Sequence, residues 1–497
     1  MRHAAVRAIA RSWKDDPDTL PLLQQKAQSD KYWQVRHAAV RAIARSWKDD
    51  SDTLPLLQQK AQSDDNSDVR RAALQEIARG WKDEPEILPL LKQRAQSDDN
   101  SDVRQSVVQE IARGWKDEPD TLPLLKQWVQ FDEDWAVQRA AVRELAEGWK
   151  DDPETLTLIK QRAQPDKDRD VRQAAVEEIA RGWKDDPGTL PLLQQWVKSD
   201  EDSNVRQAAV RELAEGWKDD PDTLLLLKQS IQLNEHWFVR EAVVEEIARG
   251  WKDGPDTLPW LKQHIQLNEH WFVRGTAIKE LIKGWKNDPD TLPLVKFHAQ
   301  YDNNWAVRGA VMAALAKGWK DDPDTLLILQ QRAQSDDNKL VRRAAVEELA
   351  KGWKDSPEIV HWLKNLAVTD NSLDIEEVTI EELTKDWIET RQAIPWFKSL
   401  AQLDGDWFMR LFIMEHLAQN WKNEPGMLEF LSDRVLNDPF ERQSKWEDNP
   451  RQIALELIIK QYPNHPDILP LLEDRAENDS DERMRKFAKK NLELRKK

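Results

Sequence analysis

The sequence predicts an all-α solenoid built from about fourteen copies of one two-helix unit. A tryptophan returns every 34 residues, at Trp13, Trp47, Trp81, Trp115, Trp149, Trp183, Trp217, Trp251, Trp285, Trp319, Trp353, Trp387 and Trp421. Around it runs one phrase, seen from Val171 to Asn204 as VRQAAVEEIARGWKDDPGTLPLLQQWVKSDEDSN. Apolar residues recur at helical spacing twice within that phrase, on either side of a short polar turn. A fixed period of this length marks stacked supersecondary units, and it overrides the three or four ordinary domains that length alone would suggest.

The first predicted element is a helix that opens on Val-Arg. From Val171, the apolar positions Ala174, Ala175, Ile179 and Trp183 fall on one helical face. Gly182 precedes the tryptophan, and Asp386 or Asn420 stands in the same slot elsewhere. These residues tolerate left-handed backbone and suit a helix end, a rule that Ser12 and Ser46 fit less well. The turn KDDPGT follows, with Thr189 expected to cap the next helix and Pro191 acceptable in its first turn. That second, leucine-rich helix is expected to bury Leu190, Leu193 and Val197. Neither short helix is stable alone; the core comes from stacked neighbours.

Composition narrows the function classes. Lys+Arg 74 against Asp+Glu 91 leaves a net charge of −17, an acidic surface unlike that of a whole-chain nucleic-acid binder. The absence of cysteine excludes disulfides and cysteine-based metal or nucleophile sites, and fits a cytoplasmic setting. No apolar run is long enough to span a bilayer, and the N-terminus lacks a signal peptide's pattern. MRHAAVRAIA at the start matches VRHAAVRAIA from Val35, so the chain begins inside a repeat and reads as a piece of a longer array.

The phrase resembles HEAT repeats along nearly the whole chain. The family pattern of Leu-Pro, then Asp, then Val-Arg with the Arg six residues after the Asp stands here as Leu88-Pro89, Asp98, Val103-Arg104 and as Leu292-Pro293, Asp302, Val307-Arg308. The resemblance implies a right-handed superhelix with the Val-Arg helix on the concave side. It also implies an Asp–Arg ladder between successive repeats at Asp30/Arg36, Asp64/Arg70, Asp98/Arg104, Asp166/Arg172, Asp200/Arg206, Asp302/Arg308, Asp336/Arg342 and Asp404/Arg410. Copies with GWKDDP turns are also similar to arrays in cyanobacterial proteins, some of which follow a NACHT-type nucleoside-triphosphatase module.

Departures from the pattern are local. Gln138 replaces a ladder Arg, and Glu376 faces Asp370, so neither rung is expected to form. Asn234 and Asn268 replace the Asp, leaving Arg240 and Arg274 with a neutral acceptor at best. Ser51 and Arg391 replace the turn proline. The organisation expected is regular repeats over 1–354 and divergent ones over 355–497. The divergent part carries a seven-residue insertion near 438–450, read as a protruding loop, and a basic C-terminal capping helix.

No constellation points to catalysis. The chain has no GxxxxGK[ST], HExxH or GxSxG, and its carboxylates sit mainly in repeated turns such as Asp151-Asp152 and Asp321-Asp322. His236/His270 and His264/His298 are each 34 apart; only His264 with His270 across one loop is a plausible metal pair, and polar decoration of duplicated copies is the simpler reading. Neither an enzyme, a cofactor nor a metal site is expected.

What varies between copies is not required by the fold. On the Val-Arg helix four outward slots, four residues apart, read Trp33/His37/Arg41/Arg45, Trp135/Arg139/Arg143/Glu147, Trp237/Glu241/Glu245/Arg249, Trp271/Gly275/Lys279/Lys283 and Trp305/Gly309/Ala313/Lys317 in five copies. Trp407 opens a sixth such stripe, while Ser67, Ser101, Arg169, Ser203 and Lys339 stand in the same slot elsewhere. These tryptophans either pad the junction between helices or face a ligand. The candidate binding cluster is Trp237, Trp260, His264, Trp271, Gly275, Tyr301, Trp305 and Gly309, the glycines leaving hollows beside aromatic faces. A second candidate is the basic start of the stripe, Arg7, Arg41 and Arg45, part of seven arginines in the first four copies. Against it, Glu177→Arg181, Glu245→Arg249 and Glu347→Lys351 read as ordinary pairs one turn apart. The expected function is a non-enzymatic scaffold for a protein or peptide, a sensor or interaction segment of a larger signalling protein. The alternatives are a nucleic-acid-binding solenoid using the arginine stripe and, on resemblance alone, a phycobilin-lyase-like protein.

Overall fold

The computed structural model describes residues 2–164, 168–233, 236–266, 269–369, 373–387, 394–403 and 406–496. Among them every regular element is a helix, and the fold is an α-solenoid. The chain divides into two compact units, Met1–His264 and Ile265–Lys497.

In the first unit, Val-Arg helices such as Trp33–Ser46, Ser67–Gly80 and Ser101–Gly114 stack directly on one another. Leucine-rich helices such as Thr53–Ser63 and Ile87–Ser97 form a second layer, each packed on the Val-Arg helix that follows it. The second unit repeats the plan: Thr291–Tyr301 packs on Trp305–Gly318, which in turn packs on Lys339–Gly352.

The core follows the sequence period. Val171, Ala174, Ala175 and Ile179 are buried, together with Val176, whose neighbouring position the apolar spacing did not include. Leu193 and Val197 are buried as expected, but Leu190 is only half-buried because Thr189 takes the inward place. Each buried side chain of this size contributes about 1.5–3 kcal/mol.

Three turn expectations need correction. Thr189 is the first helical residue, with Gly188 at the cap position, so the threonine does not cap the helix. In other copies its hydroxyl donates backwards to the tryptophan carbonyl that ended the previous helix: Thr53 to Trp47 and Thr121 to Trp115 at 2.7 Å, Thr291 to Trp285 at 2.8 Å. The glycine before the tryptophan is not left-handed. The helix runs through Gly182, and Trp183 ends it at φ −127° and ψ 44°; among the described residues only Gly426 has a positive φ. Serine therefore serves there as well as glycine. The Val-Arg helix is capped instead by the residue before it, where Asn66, Asp134, Asn304 and Asn338 accept backbone N–H groups.

The period tryptophan is a packing residue. It is half-buried in most copies and fully buried at Trp115 and Trp421. The lysine after one tryptophan reaches over the indole of the next repeat, Lys48 over Trp81 and Lys286 over Trp319 at 6.0 and 5.6 Å from the ring centre.

The Asp–Arg ladder forms, and it points forward. Arg70 donates through Nε and Nη2 to Asp98 of the following repeat at 3.0 and 2.8 Å, and through Nη1 to the carbonyl of its own Asp64 at 3.0 Å. Arg36–Asp64, Arg172–Asp200, Arg274–Asp302, Arg308–Asp336, Arg410–Asp438 and Arg451–Asp479 repeat the bond, always 28 residues apart. A Lys, Arg or His side chain one turn before each Asp often adds to the rung: Lys60, Arg94, His298, Arg332 and Arg475.

Forward pairing corrects the reading of the departures. Arg274 is 1% exposed and bonded to Asp302 of the following repeat, so its acceptor is a carboxylate. Arg104 contacts Asp134 at 3.4 Å rather than the ladder position, and Gln138 donates to its own Asp132 carbonyl. Asp166, Asn234, Asn268, Asp370, Arg391 and Asp404, with the side chain of Glu376, lie outside the described residues.

The insertion protrudes only in part. Arg451 resumes the ladder by donating to the carbonyls of Asp438 and Phe440, both at 2.8 Å. Phe440 is buried with its ring 6.3 Å from that of Trp407, and Arg442 is tied to Asp481 at 2.7 Å. Trp446 at the tip is 81% exposed. Tyr462 then ends its helix as the tryptophans do, its N–H bonded to Ile458. The terminal helix Glu482–Lys496 buries Met484 and Ala488 beneath a charged surface.

Candidate functional site

Each stripe tryptophan is the first residue of its Val-Arg helix: Trp33, Trp135, Trp237, Trp271, Trp305 and Trp407. Trp135 and Trp305 are 42% and 44% exposed, while Trp237 and Trp271 are half-buried. A phenylalanine follows in three copies, Phe238, Phe272 and Phe408; Trp271 stacks on Phe272 at 3.8 Å between ring centres. A side chain built at Gly309 would meet nothing within 4 Å, and one at Gly275 only Val307, at 3.9 Å. Both glycines therefore leave the helix surface open.

The remaining aromatic candidates lie in the other layer. Trp260 and His264 belong with the leucine-rich helix Thr257–Gln263, their rings 4.5 Å apart. Tyr301 ends the leucine-rich helix Thr291–Tyr301, where it is exposed beside Phe297, an outward aromatic outside the variable stripe. Trp237, Trp260 and His264 belong to the first unit, and Trp271, Gly275, Tyr301, Trp305 and Gly309 to the second.

Two of the histidines make local bonds within the repeat. His298 is buried and bonds Asp302 at 2.8 Å, occupying the slot that Lys60 and Arg332 fill in other repeats. His270 accepts the N–H of Phe272 at the start of its helix. Among the described residues no group of three or more His, Asp or Glu side chains is placed to hold a metal ion.

The arginine stripe looks different once its partners are visible. Arg45 donates to Glu76, Arg79 to Glu110, Arg113 to Glu144 and Arg181 to Glu212, each 31 residues ahead, at 2.7 to 2.9 Å. Arg41 shares Glu76 at 3.1 Å, and Arg71 is held by Asp68 on its own helix. This is a second forward ladder, and two of the expected one-turn pairs do not form: Arg181 reaches Glu212 of the next repeat rather than Glu177, and Arg249 bonds Glu246 on its own helix rather than Glu245. Glu347–Lys351 does form, at 3.6 Å. Of the seven stripe arginines in the first four repeats, Arg7 and Arg11 have no carboxylate partner among the described residues.

The partner glutamates recur at one slot, Glu76, Glu110, Glu144, Glu178, Glu212, Glu246 and Glu280. They are well covered, so burial raises the carboxyls of Glu144, Glu178 and Glu246 above their ordinary range despite nearby arginines. Glu212 is pushed up to about 7 by burial, against the pull of Arg181. The 34-residue spacing of these glutamates was present in the sequence and is the signal that would have revealed them.

Three grooves open along this stripe in the first unit. One of about 260 Å³ lies between Arg2–Ser12 and Trp33–Ser46, with Arg7, Arg11, Arg41 and Arg45 over Ala38 and Ala42. A second, of about 590 Å³, is lined by Arg113, Arg143, Glu144, Glu147 and Glu178. A third, of about 300 Å³, is lined by Glu177, Arg181, Glu212, Glu215 and Glu245. With Arg211, Glu246 and Arg249 also lining the third, the same backbone frame presents one basic opening and two of mixed charge. No described helix is long and apolar enough to cross a membrane.

Comparison with known proteins adds the following. A sequence model of HEAT repeats matches residues 1–78, 88–180, 158–248, 231–316, 258–350 and 298–384. No curated protein matches the chain. Among solved structures, Kap121p bound to Pho4p aligns with a TM-score of 0.45 and 15% identity over 96% of this chain and 58% of that one. Kap121p bound to Nup53p gives 0.43 and 14% over 96% and 57%, and Kap95p, in a structure concerned with RanGDP, gives 0.41 and 13% over 96% and 66%. The chain spans a little under three fifths of Kap121p.

Proposed function

Because the chain belongs to the HEAT-repeat family, we propose that it is a non-enzymatic scaffold that holds a protein or peptide against the stripe of its Val-Arg helices. One observation carries this reading: the three grooves of the first unit all open on the slots that vary between otherwise near-identical copies. Residues that vary over a constant frame are free of the fold's demands, and concave openings with convergent polar groups are where ligands are held. In the second unit the exposed indole of Trp305, with open surface at Gly309, supplies the aromatic anchor that such surfaces use. The stripe corresponds to the concave side in this family, and a cytoplasmic segment of a larger signalling protein, with a nucleoside-triphosphatase module elsewhere, fits an array of this kind.

The nucleic-acid alternative is less well supported. A duplex carries one charge per about 1.7 Å and is held by rows of free cations. Here Arg45, Arg79 and Arg113 already satisfy glutamates of the next repeat. The test is a peptide-display selection on the full chain, with the selected peptides re-measured on Trp271→Ala/Trp305→Ala and Arg41→Glu/Arg45→Glu. Loss of binding in the tryptophan variant supports the reading. Salt-dependent DNA or RNA binding lost only in the arginine variant would favour the alternative, and two double variants that bind everything the parent binds would overturn both.

A further inference from the structure

We propose that the groove between Arg2–Ser12 and Trp33–Ser46 is a binding site for a phosphate monoester carried on a peptide. The proposal rests on the stripe being a ligand-facing surface, and adds the chemistry that one part of it selects.

In the second ladder an arginine finds its carboxylate 31 residues ahead, so Arg45 meets Glu76, Arg79 meets Glu110 and Arg113 meets Glu144. For Arg11 that position is Ala42. Where the ladder fails elsewhere, a glutamate three residues back on the same helix substitutes, as Glu246 does for Arg249 and Glu280 for Lys283. For Arg11 that position is Ala8. Both carboxylate positions around this groove are alanine, and Arg7 and Arg11 stand without an ion-pair partner among the described residues.

Across the groove, Arg41 and Arg45 share the single carboxylate of Glu76. Four guanidinium groups thus line an opening of about 260 Å³ with an alanine floor, and one carboxylate, Glu76, bonds two of them. His37 reports the resulting field: burial, and then the charge of Arg41, with smaller contributions from Arg7 and Arg71, lowers its pKa against the opposing pull of Asp68. The guanidinium fork matches the oxygens of a phosphoryl group, and charge-assisted bonds of this kind are roughly twice as strong as neutral ones. In the repeats that follow directly, the stripe arginines Arg71, Arg79 and Arg113 are engaged by carboxylates, so the charge does not continue as an unbroken row. That favours one compact, doubly charged group over an extended polyphosphate backbone.

The slot itself supplies the test. Ala42→Glu installs the residue that the following seven repeats carry, so it is compatible with the fold, and it places a carboxylate beneath Arg11. The probe is a fluorescein-labelled heptapeptide with one phosphothreonine between glycines, compared with its unphosphorylated twin on the full chain. The parent is expected to prefer the phosphopeptide by about tenfold or more. Ala42→Glu should erase that preference, while Ala314→Glu, the same change at the corresponding slot of the second unit, should leave it intact. No preference in the parent, or an unchanged preference in Ala42→Glu, overturns the proposal. So does inorganic phosphate competing at the same concentration as the phosphopeptide, or a 20-nucleotide RNA bound more tightly and lost in Ala42→Glu. The scaffold reading stands or falls separately, on selected peptides and on Trp271 and Trp305.

Discussion

Replacing Asp302 by Asn tests the energetic weight of the forward ladder. The Asp302 carboxylate is fully buried and accepts from Nε and Nη2 of Arg274 at 2.7 and 2.5 Å, from His298 at 2.8 Å and from the N–H of Asn304 at 2.9 Å. Its partner is 1% exposed, so the guanidinium left behind has no access to water. Removing one member of a buried pair costs about 3–5 kcal/mol. The lower end applies here, because Arg274 keeps the neutral oxygens of Asn303 at 2.7 Å and Glu269 at 2.5 Å. A loss of about 3 kcal/mol speeds hydrogen exchange through local opening by about a hundredfold. Mass-resolved exchange should show it in peptides covering 271–318 and not in those covering 35–80. The dependence on pH has a definite sign. Burial alone would raise the Asp302 carboxyl, but its hydrogen bonds to His298 and Arg274 prevail and hold it at about 2, below its ordinary 3.8. Its contribution is therefore complete above the ordinary value and is lost as the pH falls towards 2, so parent and variant should converge in acid. A change of less than about fivefold at neutral pH, or one spread evenly over the chain, would refute the reasoning.

Two further outcomes follow from single groups. Glu212, pushed up to about 7 by burial, is held protonated in the folded chain at pH values where the unfolded chain ionises it. Stability should accordingly fall as the pH rises from about 4.5 to about 7, by an amount of order 3 kcal/mol from this group. Glu212→Gln should reduce the drop in urea midpoint between pH 5 and pH 8, and an unchanged drop would locate the titration elsewhere. Thr53→Val removes the 2.7 Å bond to the Trp47 carbonyl and should cost about 1 kcal/mol. Thr189→Val should cost nothing or stabilise, since the buried Thr189 hydroxyl has no partner; equal losses in thermal melts of the two variants would argue against the back-bonding role of this threonine.

The period, the two helices and the identity of the ladder residues were legible because each is written inside one repeat. Val171, Ala174, Ala175 and Ile179 lie on one face whatever the neighbours do, and the structure buries all of them. The direction of the ladder was not legible. Asp64 and Arg70 are close in sequence, yet the guanidinium bonds the side chain of Asp98 and only the backbone of Asp64. That choice is made by the offset between stacked helices, which no spacing inside a copy records. Arg45 and Glu76 were hidden for the same reason: an arginine and a glutamate on different helices read as separate surface charges until the stack brings them together. The stripe tryptophans are intermediate. Their place at the helix start was readable from the register, while the split between exposed Trp305 and half-buried Trp271 depends on neighbours such as Phe272.

A bond that always spans 28 residues has a consequence for how such a chain changes over generations. Unequal crossing-over between two copies in the same phase deletes or duplicates a whole number of 34-residue periods. The arginine upstream of the junction then meets the aspartate of whichever copy now follows, and that aspartate is chemically the same. Copy number is free to drift without stranding a buried charge, provided the copies joined both keep the pair. The groove at Arg7, Arg11 and Ala42 has no such freedom. A recombinant that brought a Glu76-type copy next to Arg11 would keep its fold and lose its unbalanced charge, so under the phosphopeptide proposal the junction between Arg11 and Ala42 is where duplication carries a functional cost.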